Sequence, residues 1–302
     1  MRVATTIAKA ATRVTWPLTR LDRNDRSTPV VLCYHRVLPS SGSSQLPRYA
    51  VTPQQFREQM SLLAAEGLQS LTLDEFRAAA SGGGEFPPRP ALVTFDDGFA
   101  DIYLNAWPIA RESGIKLNLF LCTGLITGEP VEGLDQPESA DAEFADLWQP
   151  LAWEAIREMY QSGVGLGFHS HTHRNHGRLS APQIAADARK GIAVLQDQIG
   201  IKPAAFAFPY GHHGSYSSEA ISTLKQHGLE IFFTTEMDRT LLPSTGPISR
   251  IVIHPEDDIQ SFRRKLYGGY DWVGKLRRFG YSLIGDSFNG SLRSETRASS
   301  QA

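Results

Sequence analysis

Apolar runs of strand length alternate with amphipathic segments of helix length along most of this chain, and this alternation limits the fold more than any other feature. Strands are expected at 30–35, 91–96, 117–123, 164–168, 204–208 and 230–235. Apolar residues recur at helical spacing between them, in the segments 53–65, 101–113, 153–162, 181–199 and 217–227. Such alternation is typical of parallel α/β folds, either barrels or doubly wound sheets.

The composition fits one globular domain. A chain of 302 residues with 41% hydrophobic residues and a formal net charge of -2 can bury one sizeable core, and its charge does not indicate a nucleic-acid partner. Cys33 and Cys122 lie far apart in apolar runs, which favours buried free thiols. We expect a basic segment at 1–27, a catalytic domain at 28–270, and an amphipathic segment with a disordered tail at 271–302.

Two adjacent carboxylates, Asp96 and Asp97, stand where the apolar run 91–93 ends, within the sequence TFDDG. Burying such a pair costs free energy unless a cation or hydrogen bonds compensate the charge. Taken alone, the pair also fits a strand that ends in a polar turn.

Three histidines, His169, His171 and His173, follow another apolar stretch in the sequence GLGFHSHTH. A strand would place all three on one side, whereas a helical turn would bring only His169 and His173 together. The polar residues around them favour a loop or an irregular turn. Two histidines and one carboxylate leave positions open for water and substrate, as a catalytic metal site requires. Together with the aspartate pair, the histidines predict a metal centre rather than a surface cluster of histidines.

The segments TFDDG at 94–98, HSHTH at 169–173 and FAFPYG at 206–211 occur in the order found in NodB-type polysaccharide deacetylases. The chain resembles this family over roughly residues 28–270, including YHRV at 34–37 and LAWE at 151–154. It is similar to the branch that acts on poly-N-acetylglucosamine exopolysaccharides. The resemblance implies an irregular, incomplete (β/α) barrel of about seven parallel strands, with its active site at the strand ends.

The resemblance also implies a role for each motif residue. Asp97, His169 and His173 hold a divalent metal, with Zn as the first choice and Co, Ni, Mn or Fe as alternatives. Asp96 is the general base, because a metal lowers the pKa of bound water and a nearby carboxylate can then take its proton. The backbone N–H of Tyr210 stabilises the oxyanion.

Two histidines are candidates for the general acid that protonates the leaving amine. His35 ends the apolar run 30–34 and is preferred, since a motif at the front of the chain matches the exopolysaccharide branch. His254 lies late in the chain, where the common family order places the acid, but Pro255 and the acidic residues after it favour a surface turn. The alternative role for His35 is that of a buried structural imidazole.

The chain departs from the common family pattern in two places. Many members carry an arginine two residues before the proline of the Pro-Tyr motif, where it pairs with the base aspartate, and this chain has Ala207 there. The exopolysaccharide branch also lacks this arginine, so the departure indicates the subfamily more than inactivity. No Asp-x-x-Trp motif follows Pro209 and Tyr210.

The substrate groove is expected near the motifs, where rings can stack on sugar faces. The groove candidates are Tyr34, Phe99, Pro209 and Trp148. Residues 127–150 interrupt the strand and helix alternation and are expected to form a loop above the strand ends. This loop is either one wall of the groove or a solvated connection.

No stretch near the start of the chain has the length and apolar character of a secretory signal or a membrane span. The basic segment 1–27 and the segment 270–279 each fit either peripheral contact with a membrane or a frayed terminus. We therefore expect a cytoplasmic protein or one peripheral to the inner membrane.

The sequence predicts a metal-dependent hydrolase that removes N-acetyl groups from an amino-sugar polymer or its lipid-linked precursor. Two alternatives stay open. A non-haem iron(II) oxygenase uses the same set of two histidines and one carboxylate, usually on an antiparallel double-stranded sheet. A catalytically silent carbohydrate-binding module would keep the fold, although the intact motif residues argue against it.

Overall fold

The computed structural model describes residues 28–40, 46–134, 142–237, 242, 244, 246–269 and 271. The basic segment 1–27 and residues 272–302 lie outside the described residues, so the expectations for them and the domain limits at 28 and 270 stay predictions. Among the helices that are described, none combines the length and the apolar character needed to cross a lipid bilayer.

The strands are β1 (Val30–Tyr34), β2 (Arg36–Val37), β3 (Ala50–Val51), β4 (Gln69–Ser70), β5 (Pro90–Phe95), β6 (Leu117–Leu121), β7 (Gly165–Phe168), β8 (Ala205–Ala207), β9 (Ile231–Thr234), β10 (Ile248–Ser249) and β11 (Ile251–Val252). The α-helices are Pro53–Ala65, Leu73–Ala80, Trp107–Glu112, Thr123–Thr127, Trp153–Gln161, Ala181–Ile199, Ser218–Lys225 and Ile259–Leu266. A π-helix spans Ile102–Ala106, and 3₁₀ helices span Ala142–Trp148 and His176–Arg178.

The main sheet is a nearly closed parallel barrel with the order β10-β9-β8-β7-β6-β5-β1-β11, and β4 also pairs with β5. The end strands β10 and β11 are consecutive in the chain and separated only by Arg250. One chain segment therefore pairs with β9 first and with β1 next, which closes the barrel. The predicted irregular α/β barrel is confirmed. The segment that carries β10 and β11 adds a strand position to the barrel that the apolar pattern did not predict. A parallel barrel is not the antiparallel scaffold expected of an iron oxygenase.

Local signals explain where the longer helices begin. Thr52 and Gln55 form a capping box before Pro53–Ala65, and Ser180 and Gln183 form another before Ala181–Ile199. Both helices were predicted with these limits. The helix predicted at 101–113 instead divides into a π-helix and an α-helix, because Pro108 has no N–H to donate to the preceding turn.

Alternate residues of each strand face the helices and the barrel interior. On β1 and β5, Leu32 and Phe95 belong to the large core between the barrel and its helices. Val31 and Leu92 belong to a second core that includes Phe120 and the helix Leu73–Ala80. Because side-chain direction has a period of two, the residues that follow Val31 and Leu92 by four positions, at 35 and 96, share the inward direction.

Cys33 and Cys122 are both buried and free, as the sequence predicted. Neither pairs in a disulfide, and burial raises the pKa of the Cys122 thiol to about 12. A thiol of this kind stays protonated and behaves as a small apolar group.

Candidate active site and metal centre

Three strands deliver side chains to the same mouth of the barrel. β1 and β5 pair in register along their shared length, so His35 and Asp96 follow side by side at their carboxyl ends. His169 follows β7 in the same way. Since parallel strands end together, these groups converge, and Asp96 Oδ2 lies 3.9 Å from His169 Nε2.

Asp96 forms a buried, two-pronged ion pair with Arg250. The arginine Nη1 donates to Asp96 Oδ1 at 2.6 Å and Nη2 donates to Oδ2 at 2.7 Å, and neither side chain is more than 2% exposed. Burial by itself would raise the pKa of Asp96, but the charge of Arg250, with a smaller effect of His169, outweighs it and holds that pKa well below its usual range. Asp96 is therefore a carboxylate at neutral pH.

Sequence reasoning missed Arg250. Asp96 therefore has a guanidinium partner that comes from the segment between β10 and β11 and not from position 207. A signal was present in the sequence, since Arg250 lies within the mostly apolar segment 248–253. A charged side chain within a buried strand requires a partner of opposite charge.

Asp97, His169 and His173 form a compact set of metal donors. Asp97 Oδ1 lies 3.6 Å from Nε2 of His169 and 3.6 Å from Nε2 of His173. Ligands bound at about 2.1 Å in a tetrahedral arrangement stand roughly 3.4 Å apart. The three donor atoms therefore fit a divalent metal and leave its remaining positions open.

The hydrogen bonds of the two imidazoles prepare them as ligands. His169 Nδ1 is 2.8 Å from the Ala207 carbonyl oxygen, and His173 Nδ1 is 2.6 Å from that of Glu132. A carbonyl oxygen only accepts, so each Nδ1 carries the proton and each Nε2 offers its lone pair. Burial lowers the pKa of His169 to about 3 and lowers that of His173 as well, which keeps both rings neutral.

The backbone is strained where the site is built. Positive φ angles occur at Asp97 (74°), Ser170 (72°), His173 (53°) and Tyr210 (65°). Non-glycine residues pay about 1–3 kcal/mol each for such conformations, and they persist only where the surroundings hold them. Because the backbone at Asp97 is left-handed, its side chain does not follow the strand alternation. The side chains of the two adjacent aspartates therefore contact different groups.

The donor atoms of a second group, on Cys33, His35 and Asp96, also lie within 4.8 Å of one another. Cys33 Sγ is 3.6 Å from Asp96 Oδ2. Arg250 already binds both oxygens of Asp96, and burial raises the pKa of Cys33 well above its usual range. A cation here would meet a guanidinium charge and a neutral thiol, so the set around Asp97 is the better metal centre.

The two candidate acids both contact Tyr49. The His35 ring stacks on Tyr49 with ring centroids 4.8 Å apart, and the His254 ring lies 5.6 Å from it. Of the two, only His35 belongs to the group of atoms around Asp96. Burial, with the charge of Lys265, lowers the pKa of His254 to about 4, so that ring is neutral at pH 7.

His171 faces away from the metal donors. Its Nδ1 lies 2.9 Å from Thr123 Oγ1, and its Nε2 is 3.3 Å from Glu129 Oε2. β7 has ended by Phe168, so the histidines stand in an irregular turn, as their polar neighbours predicted. Only His169 and His173 converge, with ring centroids 5.1 Å apart.

Two groove candidates lie inside the protein. Tyr34 is 1% exposed, packs on Phe56 and donates its hydroxyl to Gln59 Oε1 at 2.8 Å. Strand alternation explains this placement, because Tyr34 and the neighbouring His35 point in opposite directions. Phe99 is 2% exposed. The structure therefore corrects the expectation that these two rings line a groove.

The other candidates lie at the mouth. Pro209 is buried, and Tyr210 is 38% exposed with its ring centroid 5.2 Å from that of His173. Trp148 is half-buried and covers the guanidinium of Arg36, whose Cζ is 4.0 Å from the ring centroid. Trp148 keeps exposed surface and stays a groove candidate, whereas the burial of Pro209 corrects the expectation that it lines the groove.

The loop expected at 127–150 is fastened to the site in its described parts. Glu132 N donates to Thr172 O at 3.1 Å, and Glu132 O accepts from His173. A Cβ at Gly133 would lie 2.2 Å from Tyr210 Oη, so the chain approaches that ring closely. At the other end, Arg36 donates to Leu147 O at 2.8 Å. These contacts indicate that the described parts of the loop form a wall beside the site rather than a solvated connection.

Comparisons with known proteins agree with this arrangement. The family model for polysaccharide deacetylase matches residues 83–232. A poly-beta-1,6-N-acetyl-D-glucosamine N-deacetylase of Staphylococcus epidermidis is 28% identical over 269 residues, which cover 82% of this chain and 86% of that protein. A protein of the same name from Staphylococcus aureus is 26% identical over 266 residues, covering 81% of this chain and 84% of the relative.

Solved structures share the fold. IcaB from Ammonifex degensii has a TM-score of 0.64 and 26% identity, covering 80% of this chain and 97% of that one. The deacetylase PplD of Streptococcus pyogenes, in complex with acetate, has a TM-score of 0.66 and 20% identity, covering 79% and 98%. The family-model match and the shared barrel fold identify residues 83–232 of this chain as a polysaccharide deacetylase domain.

Proposed function

We propose that this protein removes N-acetyl groups from a β-1,6-linked polymer of N-acetylglucosamine. The observation that carries the proposal is one juxtaposition at the barrel mouth, where the ionised carboxylate of Asp96 adjoins the donor set of Asp97, His169 and His173. The relatives named for this polymer align with about four-fifths of the chain, which supports it as the substrate class.

Asp97, His169 and His173 are proposed to hold the metal, and two imidazoles with one carboxylate favour Zn over Mg or Ca. Such an ion, when bound, lowers the pKa of a water molecule and polarises the acetamide carbonyl. Asp96 accepts the proton that the attacking water loses, while Arg250 keeps this carboxylate ionised and oriented.

His35 is proposed to give a proton to the amine nitrogen as the amide C–N bond breaks, which releases acetate and leaves a free amino sugar. The backbone N–H of Tyr210 is proposed to stabilise the oxyanion. The Tyr210 ring lies against that of His173, so the residue adjoins the donor set. Trp148 is proposed as a sugar platform at the edge of the groove.

Acetate release tests the proposal. The wild-type protein, reconstituted with Zn, Co, Ni, Mn or Fe, is incubated with β-1,6-linked N-acetylglucosamine oligomers, and β-1,4-linked oligomers serve as the linkage control. We expect acetate from the β-1,6 series and none from His169→Ala, which loses a metal donor. Metal binding by the wild type without acetate from any oligomer would rule the proposal out.

Replacing His35 with asparagine is expected to lower kcat by about 10²- to 10⁴-fold, because the leaving amine loses its proton donor. His254→Asn is the matched control, with an expected change below about fivefold, because that ring lies outside the group around Asp96. Metal content is measured in both variants and should not change. A larger loss of kcat in His254→Asn than in His35→Asn would assign the acid to His254.

The expected location, cytoplasmic or peripheral to the inner membrane, stays a prediction. The basic segment 1–27 and the segment after 271, on which membrane contact would depend, lie outside the described residues.

A further inference from the structure

Asp187 is a buried carboxylate that contacts the metal-binding turn without being one of its ligands. It lies in the helix Ala181–Ile199 and is 7% exposed. Its Oδ2 accepts from His171 N at 2.9 Å, and its Oδ1 accepts from Thr172 N at 2.9 Å and Thr172 Oγ1 at 2.6 Å. One carboxylate thus satisfies three donors of a turn that lies beyond the end of β7.

The contacts of Asp187 continue to a metal ligand through Ser170. Ser170 Oγ is 3.5 Å from Asp187 Oδ1 and accepts from His173 N at 2.8 Å. Ser170 and His173 both have positive φ, a strained conformation that relaxes unless neighbouring groups hold it. The groups that hold this turn include those bound by Asp187.

The helix that carries Asp187 is fixed close to the turn. One helical turn later, a Cβ at Gly191 would lie 2.3 Å from the Phe168 ring and 2.9 Å from Thr123 Oγ1. Glycine at this position therefore lets the helix approach the end of β7 closely. The carboxylate is carried by a rigid element and not by a mobile loop.

We propose that Asp187 is a positioning residue for the metal centre. It holds the turn 170–173 in the strained conformation that brings His173 Nε2 to the position facing Asp97 and His169. The inference rests on the proposed metal centre, but it concerns metal affinity and does not depend on which polymer is hydrolysed. Removing supporting hydrogen bonds of this kind typically weakens metal binding by 10- to 100-fold.

Asp187→Asn tests the proposal, because the amide keeps the shape of the side chain but cannot accept from all of these donors. The Kd for Zn is measured by competition with a chromophoric chelator, together with the thermal midpoint of the metal-free protein. We expect roughly 10- to 100-fold weaker Zn binding. Asp101→Asn is the control, since Asp101 is also a buried carboxylate and accepts from Val37 N and Arg36 but does not contact the turn.

We expect Asp101→Asn to lower the thermal midpoint and leave the Kd for Zn within about threefold. Equal Kd values for Asp187→Asn and Asp101→Asn would overturn the proposal. If Asp187→Asn fails to fold, Thr172→Val removes one of the three strong bonds, and an unchanged Kd in that variant would overturn it as well. A wild type that binds Zn yet releases no acetate would reject the proposed function and leave this inference to be decided by the Kd values.

Discussion

Replacing Arg250 with methionine is expected to lower the free energy of unfolding by about 3–5 kcal/mol and acetate release by at least about a hundredfold. The substitution leaves Asp96 buried without its counter-charge. Burial then raises the pKa of Asp96, where Arg250 had held it low. Because a base must be ionised, the acid limb of the activity profile is expected to move to higher pH. Urea unfolding and kcat between pH 4 and pH 8 measure the two effects.

Two control variants separate catalysis from stability. Lys265→Met breaks another buried ion pair, that of Lys265 with Asp257, and should destabilise the protein without moving the acid limb. Arg250→Lys keeps the charge but loses the planar guanidinium fork. We therefore expect its acid limb to lie between those of the wild type and Arg250→Met. If Arg250→Met and Lys265→Met shared the acid limb of the wild type, Arg250 would be a structural residue only.

Replacing Asp96 with asparagine is expected to lower kcat by about 10²- to 10⁴-fold while Zn still binds, because the proposed general base is lost and the donor set remains. Asp97→Asn is the matched variant, since it makes the same chemical change one residue later. We expect that variant to lose Zn, because Asp97 Oδ1 is the atom that faces both imidazoles. Zn content and acetate release are measured on the same folded samples.

The two neighbouring variants should therefore fail in different ways. Full activity in Asp96→Asn, or loss of Zn from Asp96→Asn and Asp97→Asn alike, would contradict the separate roles. Asp96→Asn also leaves Arg250 without its ionised partner, so the activity assay is run well below the thermal midpoint of the variant.

The motifs predicted much of the site because their geometry is short-range. Strand ends in a parallel barrel share one mouth, so placing Asp96, His169 and His35 after apolar runs was enough to bring them together. The same reasoning failed for Tyr34, where the alternation within β1 directs the ring to the helices. It also failed for β10 and β11, because Arg250 breaks the apolar pattern that identifies a strand.

The amino-acid sequence by itself determined the alternation of the principal strands and helices, the limits of the two capped helices and the residue types of the candidate metal centre, because periodicity, caps and donor chemistry are local properties. Only the tertiary structure decided that Arg250 is the partner of Asp96 and that Asp187 holds the turn between His169 and His173. Arg250 lies 154 residues from Asp96 in the chain. Contacts at such separations depend on how the barrel closes, and no local pattern records that closure.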